Sequence, residues 1–115
     1  MAAVDDRQQV RVAKKERHSQ APLARRVVAE LAGTAILLVA VVGSGIMAQR
    51  LSPGDVGLQL LENSTATAAA LVAIILAVGP VSGAHLNPVV SLVDRLFGGL
   101  TWRDTFAYWV GQVLG

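Results

Sequence analysis

The chain has 115 residues, 53% of them hydrophobic and 16% charged, with a mean hydropathy of +0.52, a net charge of +2 and no cysteine. Soluble domains carry about 25% charged residues. The balance excludes a disordered chain, a disulfide scaffold and a cysteine-ligated metal site, argues against an ordinary soluble domain, and leaves room for two to three membrane spans.

Seven of the ten Lys/Arg fall in residues 1–26: Arg7, Arg11, Lys14, Lys15, Arg17, Arg25 and Arg26. Residues 1–22 therefore read as a basic cytoplasmic tail, mobile or partly helical. Beside a membrane span such a tail is a topology signal and lipid-surface anchor rather than a nucleic-acid-binding arm. Leu31 to Gln49 holds no charge for 19 positions, and Asn63 to Ala84 none for 22. At about 1.5 Å per residue these stretches cover roughly 28 and 33 Å, enough for a hydrocarbon core of about 30 Å. The first begins too late and runs too long for a signal peptide, so it is expected to stay as a helix from about Leu23 to Gln49. Gly33, Gly43, Ser44 and Gly45 let another helix approach it closely.

Residues 50–59, with Ser52-Pro53-Gly54-Asp55, predict a turn-rich extracellular loop. A second helix is expected from about Leu60 to Val78. Asn63-Ser64-Thr65 matches a glycosylation sequon, but its place at a helix start favours a plain polar beginning. Gly79-Pro80 is expected to end this helix. Two crossings from a cytoplasmic N-terminus put nine Lys/Arg inside and only Arg50 outside, a strong positive-inside bias.

Asn87 is a good N-cap and Pro88 suits the first helical position, so a short helix starts there and stops by Gly98-Gly99. About 16 Å is half a bilayer, which makes this a re-entrant half-helix, tolerated only where protein or a water-filled cavity satisfies its backbone. A third helix starts at Thr101-Trp102-Arg103-Asp104, with Trp102, Tyr108 and Trp109 as interfacial aromatics. Its apolar run reaches Gly115 after about 15 residues, too few to span, so the chain is expected to end inside a membrane helix.

No nucleophile–base pair, H-E-x-x-H, phosphate-binding glycine loop or usefully spaced carboxylate pair is present, which speaks against an enzyme. No cofactor is implied. A half-helix aiming its N-terminus at the membrane midplane offers a positive dipole end and free N–H groups. The Asn87 amide adds donors, and the carbonyls of Gly83, Ala84 and His85 add acceptors, together a path for neutral solutes. The alternative is a surface Asn-Pro turn between soluble helices. Glu30 is either a functional intramembrane carboxylate or an interfacial Glu snorkelling beside Arg26. His85 is either a pore-lining switch or a structural histidine holding the loop; with His18 the only other histidine, a metal site is not expected.

The segment Ser82-Gly83-Ala84-His85-Leu86-Asn87-Pro88-Val89 resembles S-G-x-H-x-N-P-A, the first signature of the major intrinsic protein family, the aquaporins and aquaglyceroporins. Ala29-Glu30-x-x-Gly33-Thr34 before it is similar to the family's first-helix A-E-x-x-G-T, and Tyr108-x-x-x-Gln112 after it to the third-helix Y-x-x-A-Q. The resemblance covers about residues 23–115. It implies an all-α membrane fold: the N-terminal half of a channel domain with two full transmembrane helices, a re-entrant half-helix and the start of a third helix. Family members pair two inverted repeats, assemble as tetramers with a pore in each protomer, and pass water or small neutral solutes across the membrane. It further implies that Asn87 and Pro88 form the pore half-helix motif, and that Glu30, His85 and Tyr108 brace the loops.

Three departures carry consequences. Val89 replaces the usual Ala and changes width and packing near the constriction. Thr67, twenty residues before Asn87, stands where a large filter aromatic is usual, which biases the pore toward glycerol, urea or undissociated metalloid acids. The second repeat, with its second Asn-Pro and filter arginine, is missing, so one copy is expected to be inactive alone. The competing reading is a short membrane interaction or assembly subunit, or a non-functional gene fragment. Few aromatics, many Ala and Val, and Arg over Lys hint at a GC-rich bacterial source; a multi-pass place in the plasma membrane with a cytoplasmic N-terminus is expected.

Overall fold

The computed structural model describes residues 6–10 and 21–115. Residues 6–10 are helical; the rest of the tail expectation, His18 included, lies outside the described residues apart from positions 21 and 22. Four helices follow: α1 (Leu23–Leu51), α2 (Val56–Ser82), α3 (Pro88–Leu96) and α4 (Trp102–Leu114). Among the described residues there is no strand.

The first two helices are 29 and 27 residues long, and both are long and apolar enough to cross a membrane. Both exceed their expected bounds. The loop expected over residues 50–59 shrinks to positions 52–55, because Asp55 accepts the Leu58 N–H at 2.9 Å and starts α2 four residues early. Gly79-Pro80 does not end α2 either. The helix runs on to Ser82 with Pro80 inside it, and stops at Gly83, whose φ of 91° is a left-handed cap and whose N–H reaches the Gly79 carbonyl. Proline lacks the N–H that would bond four residues back, so it costs the last turn one helical bond without ending it.

The half-helix α3 begins where expected. Asn87 is its N-cap, with Oδ1 accepting the Val89 N–H at 2.8 Å, and Pro88 holds the first position. It has nine residues, ends at Leu96, and is followed by the Gly98-Gly99 turn. There the Asp94 carboxylate accepts the Leu100 N–H at 2.8 Å. Thr101 caps α4, and Asp104 in its first turn suits the positive end of the helix dipole.

Helix α1 packs on α2 and α4, while α3 packs on α4 alone among the helices. Glycines set the closest approaches. A Cβ at Gly111 would lie 3.0 Å from the Val27 backbone oxygen, and one at Gly33 would lie 2.6 Å from Leu86 Cδ2. Elsewhere the apolar surfaces are open: Val39 on α1 and Leu76 on α2 are each more than 70% exposed. The buried set among the described residues is small and mostly polar, with Glu30, Ser91 and Thr105 fully covered beside Tyr108.

Candidate pore site

The loop between α2 and α3 is held from beneath by one carboxylate. Glu30, fully buried on α1, receives four donors. Its Oε1 accepts from Ser82 Oγ at 2.6 Å and from the His85 N–H at 2.9 Å. Its Oε2 accepts from the Leu86 N–H at 2.6 Å and from Gln112 Nε2 at 2.9 Å. One side chain thus joins α1, the end of α2, the loop and α4. It makes no ion pair with Arg26, so the snorkelling reading of Glu30 is set aside. Arg26 instead meets Asp104 at 2.8 Å, donates from Nε to the Ala21 carbonyl, and lies 5.8 Å from the Tyr108 ring centre.

These bonds fix which way the loop peptides face. Ala84 and Leu86 adopt left-handed φ values of 51° and 55°, strained for side chains with a Cβ. The strain is held because the N–H groups of His85 and Leu86 both point at Glu30. All described peptides are trans, and in a trans peptide the carbonyl points opposite to the N–H. The carbonyls of Ala84 and His85 therefore point away from Glu30. The Ala84 N–H turns to Ser82 Oγ at 3.1 Å, which orients the Gly83 carbonyl in the same way.

Two aromatic residues complete the support. Tyr108, fully buried on α4, donates to the Ser82 carbonyl at 2.7 Å and meets the His85 ring edge-on at 5.4 Å. Trp109 Nε1 donates to the Pro88 carbonyl at 2.9 Å and ties the first turn of α3 to α4. An open cavity of about 780 Å³ lies beside this cluster, lined by Arg26, Asp94, Asp104, Tyr108, His85 and the Gly79–Gly83 segment among others. The volume has room for many water molecules at about 30 Å³ each.

The residues expected from sequence fall into two groups. Glu30, Gly83, Ala84, His85, Asn87, Pro88 and Tyr108 come together around the loop. Thr67 stands apart on α2, fifteen residues before Ser82 and about 22 Å away along the helix axis. Its Oγ1 lies 3.5 Å from Asn63 Oδ1, and Asn63 Nδ2 donates to the Val41 carbonyl on α1 at 3.0 Å. Val89 is 64% exposed, its side chain clear of the loop cluster. Among the described residues no group of His, Asp and Glu is placed to hold a metal ion.

The sequence profile described as "Major intrinsic protein" matches residues 17–115. The chain belongs to the major intrinsic protein family. Among relatives, aquaglyceroporin AqpS of Rhizobium meliloti (strain 1021) is 55% identical over 93 residues, 81% of this chain and 40% of its own length. Aquaporin Z of Brucella melitensis is 38% identical over 87 residues, covering 76% of this chain and 37% of its own. Human aquaporin-9 is 42% identical over 94 residues, 81% of this chain and 31% of its own. The chain thus spans less than half the length of these curated relatives. No solved structure matches it. With the family shown, the two long apolar helices are those of an aquaporin-like, all-α membrane protein.

Sequence reasoning gave no role to Ser91, Gln112 or Asn63. Ser91 was signalled by a lone hydroxyl in the apolar face of α3, four residues after Asn87. Gln112 lay inside a motif already noted, but only its distance from Glu30 gives it a task.

Proposed function

We propose that the chain forms one repeat of a passive transmembrane channel for water or small neutral solutes. The observation that carries this reading is the nine-residue half-helix capped by Asn87, reached through a loop pinned to Glu30, beside two helices of membrane-spanning length. A half-helix of this kind presents N–H donors and a positive end that disfavours cations, while the loop carbonyls of Gly83, Ala84 and His85 supply acceptors. Asn87 Oδ1 is taken by the Val89 N–H, which leaves its Nδ2 hydrogens to a passing solute. Glu30, His85 and Tyr108 act as the brace.

A single copy does not enclose a pore in this reading. Among the described residues α3 is covered by α4 alone of the helices, and a second set of helices with a second half-helix is needed to close the channel. The basic segment 1–22 lies on the cytoplasmic side of a plasma membrane and anchors to lipid headgroups, with residues 23–115 as the channel half. The full assembly is a tetramer, and the similarity to a Rhizobium protein agrees with a bacterial source. Thr67 widens the filter and favours polyols, urea or undissociated metalloid acids over water alone.

Proteoliposomes test this. The chain alone is expected to conduct water and glycerol at the lipid background. Joined with a polypeptide carrying a second repeat, it should conduct both, and Thr67→Phe should then lower glycerol flux more than water flux. Conduction by the chain alone well above background, or none after pairing, overturns the reading.

A further inference from the structure

The buried cluster also determines which nitrogen of His85 carries its proton. A carboxylate only accepts, so the Gln112 group facing Glu30 Oε2 must be the donating Nε2. The same nitrogen lies 2.9 Å from Ser91 Oγ and donates its second hydrogen there. The opposite amide orientation would set Gln112 Oε1 against the carboxylate. Gln112 keeps its orientation even though Oε1 is buried with no partner.

Ser91 is fully buried and already receives one hydrogen from Gln112. Among the described residues its own hydroxyl proton has one remaining neighbour, His85 Nδ1 at 3.1 Å. If Nδ1 carried hydrogen, two donors would converge on Ser91 and its proton would be stranded in the interior, which costs a buried donor its solvation. We infer that Glu30, Gln112 and Ser91 form a one-way donor relay that fixes His85 in the tautomer protonated at Nε2, with Ser91 and Gln112 as its positioning residues.

The consequence is directional. His85 lines the cavity, and its Nε2 has no hydrogen-bond partner among the described residues, nor is it one of the buried unpartnered atoms. A Cβ at Gly83 would lie 3.3 Å from it, so the nitrogen stands over the bare backbone where the loop turns. The relay therefore presents a fixed N–H to the cavity. A solute oxygen, as in water or a polyol, accepts from that N–H. This step rests on the channel reading above; the tautomer itself does not.

The test is nitrogen NMR of the full chain in lipid bilayers, labelled at histidine, with His18→Asn removing the second signal. Wild type is expected to show a protonated, pyrrole-type Nε2 and a bare, pyridine-type Nδ1. Ser91→Ala should give a mixture of tautomers, and Ser91→Thr, which keeps the hydroxyl, should restore the single form. Protonation at Nδ1 in the wild type, or an unchanged single tautomer in Ser91→Ala, overturns the inference. The wild-type spectrum decides even if a variant fails to fold. Since no permeation is measured, a failed channel reading leaves the spectrum unaffected, and a failed relay leaves the flux experiment standing.

Discussion

The two ends of the α1–α2 pair are built on opposite principles. At the α3 end, Glu30, Ser82, Ser91, Tyr108 and Gln112 are buried and joined by hydrogen bonds of 2.6–2.9 Å. At the turn end, Asn63 Nδ2 donates across the helices to the Val41 carbonyl, Gln59 and Glu62 of α2 bond to Ser52 in the turn, and large apolar side chains face outward. Lipid tails are as apolar as leucine, so burying leucine against leucine gives membrane helices little reason to choose one neighbour. Polar groups do choose, because an unpaired N–H in hydrocarbon costs several kcal/mol. The cluster around Glu30 therefore carries most of the positional information in the chain, and the turn end adds a short local tether.

Glu30→Ala should break that contrast outright. Four donors lose their acceptor, two of them backbone N–H groups holding left-handed residues in place. The expected loss is on the order of 4 kcal/mol, read as collapse of hydrogen-exchange protection at the His85 and Leu86 amides. Retained protection at those amides would mean that α3 and α4 place the loop without the carboxylate.

Gly111→Ala tests the packing that brings α4 to the cluster. The new Cβ meets the Val27 backbone oxygen at 3.0 Å and Val27 Cγ1 at 3.1 Å, so α1 must give way by a few tenths of an ångström. Overpacking of this kind costs about 2 kcal/mol, measured as a lowered unfolding midpoint in micelles. The same substitution at Gly43, where a Cβ meets nothing within 4 Å, should be close to neutral.

The turn end offers a smaller effect with a built-in control. Asn63→Ala should cost about 0.6 kcal/mol, the average for an interhelical side-chain bond in a membrane. A Cβ at Gly45 would lie 2.7 Å from Asn63 Nδ2, so Gly45→Ala should destabilise the wild type and do nothing in the Asn63→Ala background. Equal costs in both backgrounds would show that the two residues do not share that space. Smallest of all, Asp104→Asn removes the partly exposed partner of Arg26, for about 0.5 kcal/mol that should shrink as salt is added.

The sequence made the elements legible and left their meeting point largely hidden. The α3 start was readable because Asn87 and Pro88 are neighbours and act locally. The α2 start was placed late because the Ser52–Asp55 turn was read on to Gln59, and Asp55 acts as a cap only once its side chain is seen on the Leu58 N–H. Pro80 misled because proline so near a helix end removes a single donor without stopping the helix, and Gly83 ends it instead. The partners of Glu30 lie 52 to 82 positions away, beyond any local pattern. The family resemblance supplied Glu30, His85 and Tyr108 as a group, but not the roles of Ser91 and Gln112, which depend on who donates to whom.

The four-residue turn between α1 and α2 has a mechanical consequence. Asp55 caps one helix, Gln59 Nε2 donates to the Ser52 carbonyl at 2.7 Å, and Ser52 Oγ donates to Glu62 at 2.8 Å. Four residues reach roughly 14 Å when fully drawn out, and these bonds hold them folded. The helices they join are about 44 and 40 Å long at 1.5 Å per residue, longer than a hydrocarbon core of about 30 Å. A thinner bilayer must then be met by tilt, and with so short a tether neither helix can slide past the other to find its own depth. The pair leans as one body, and the loop, bonded to Glu30 on α1, leans with it.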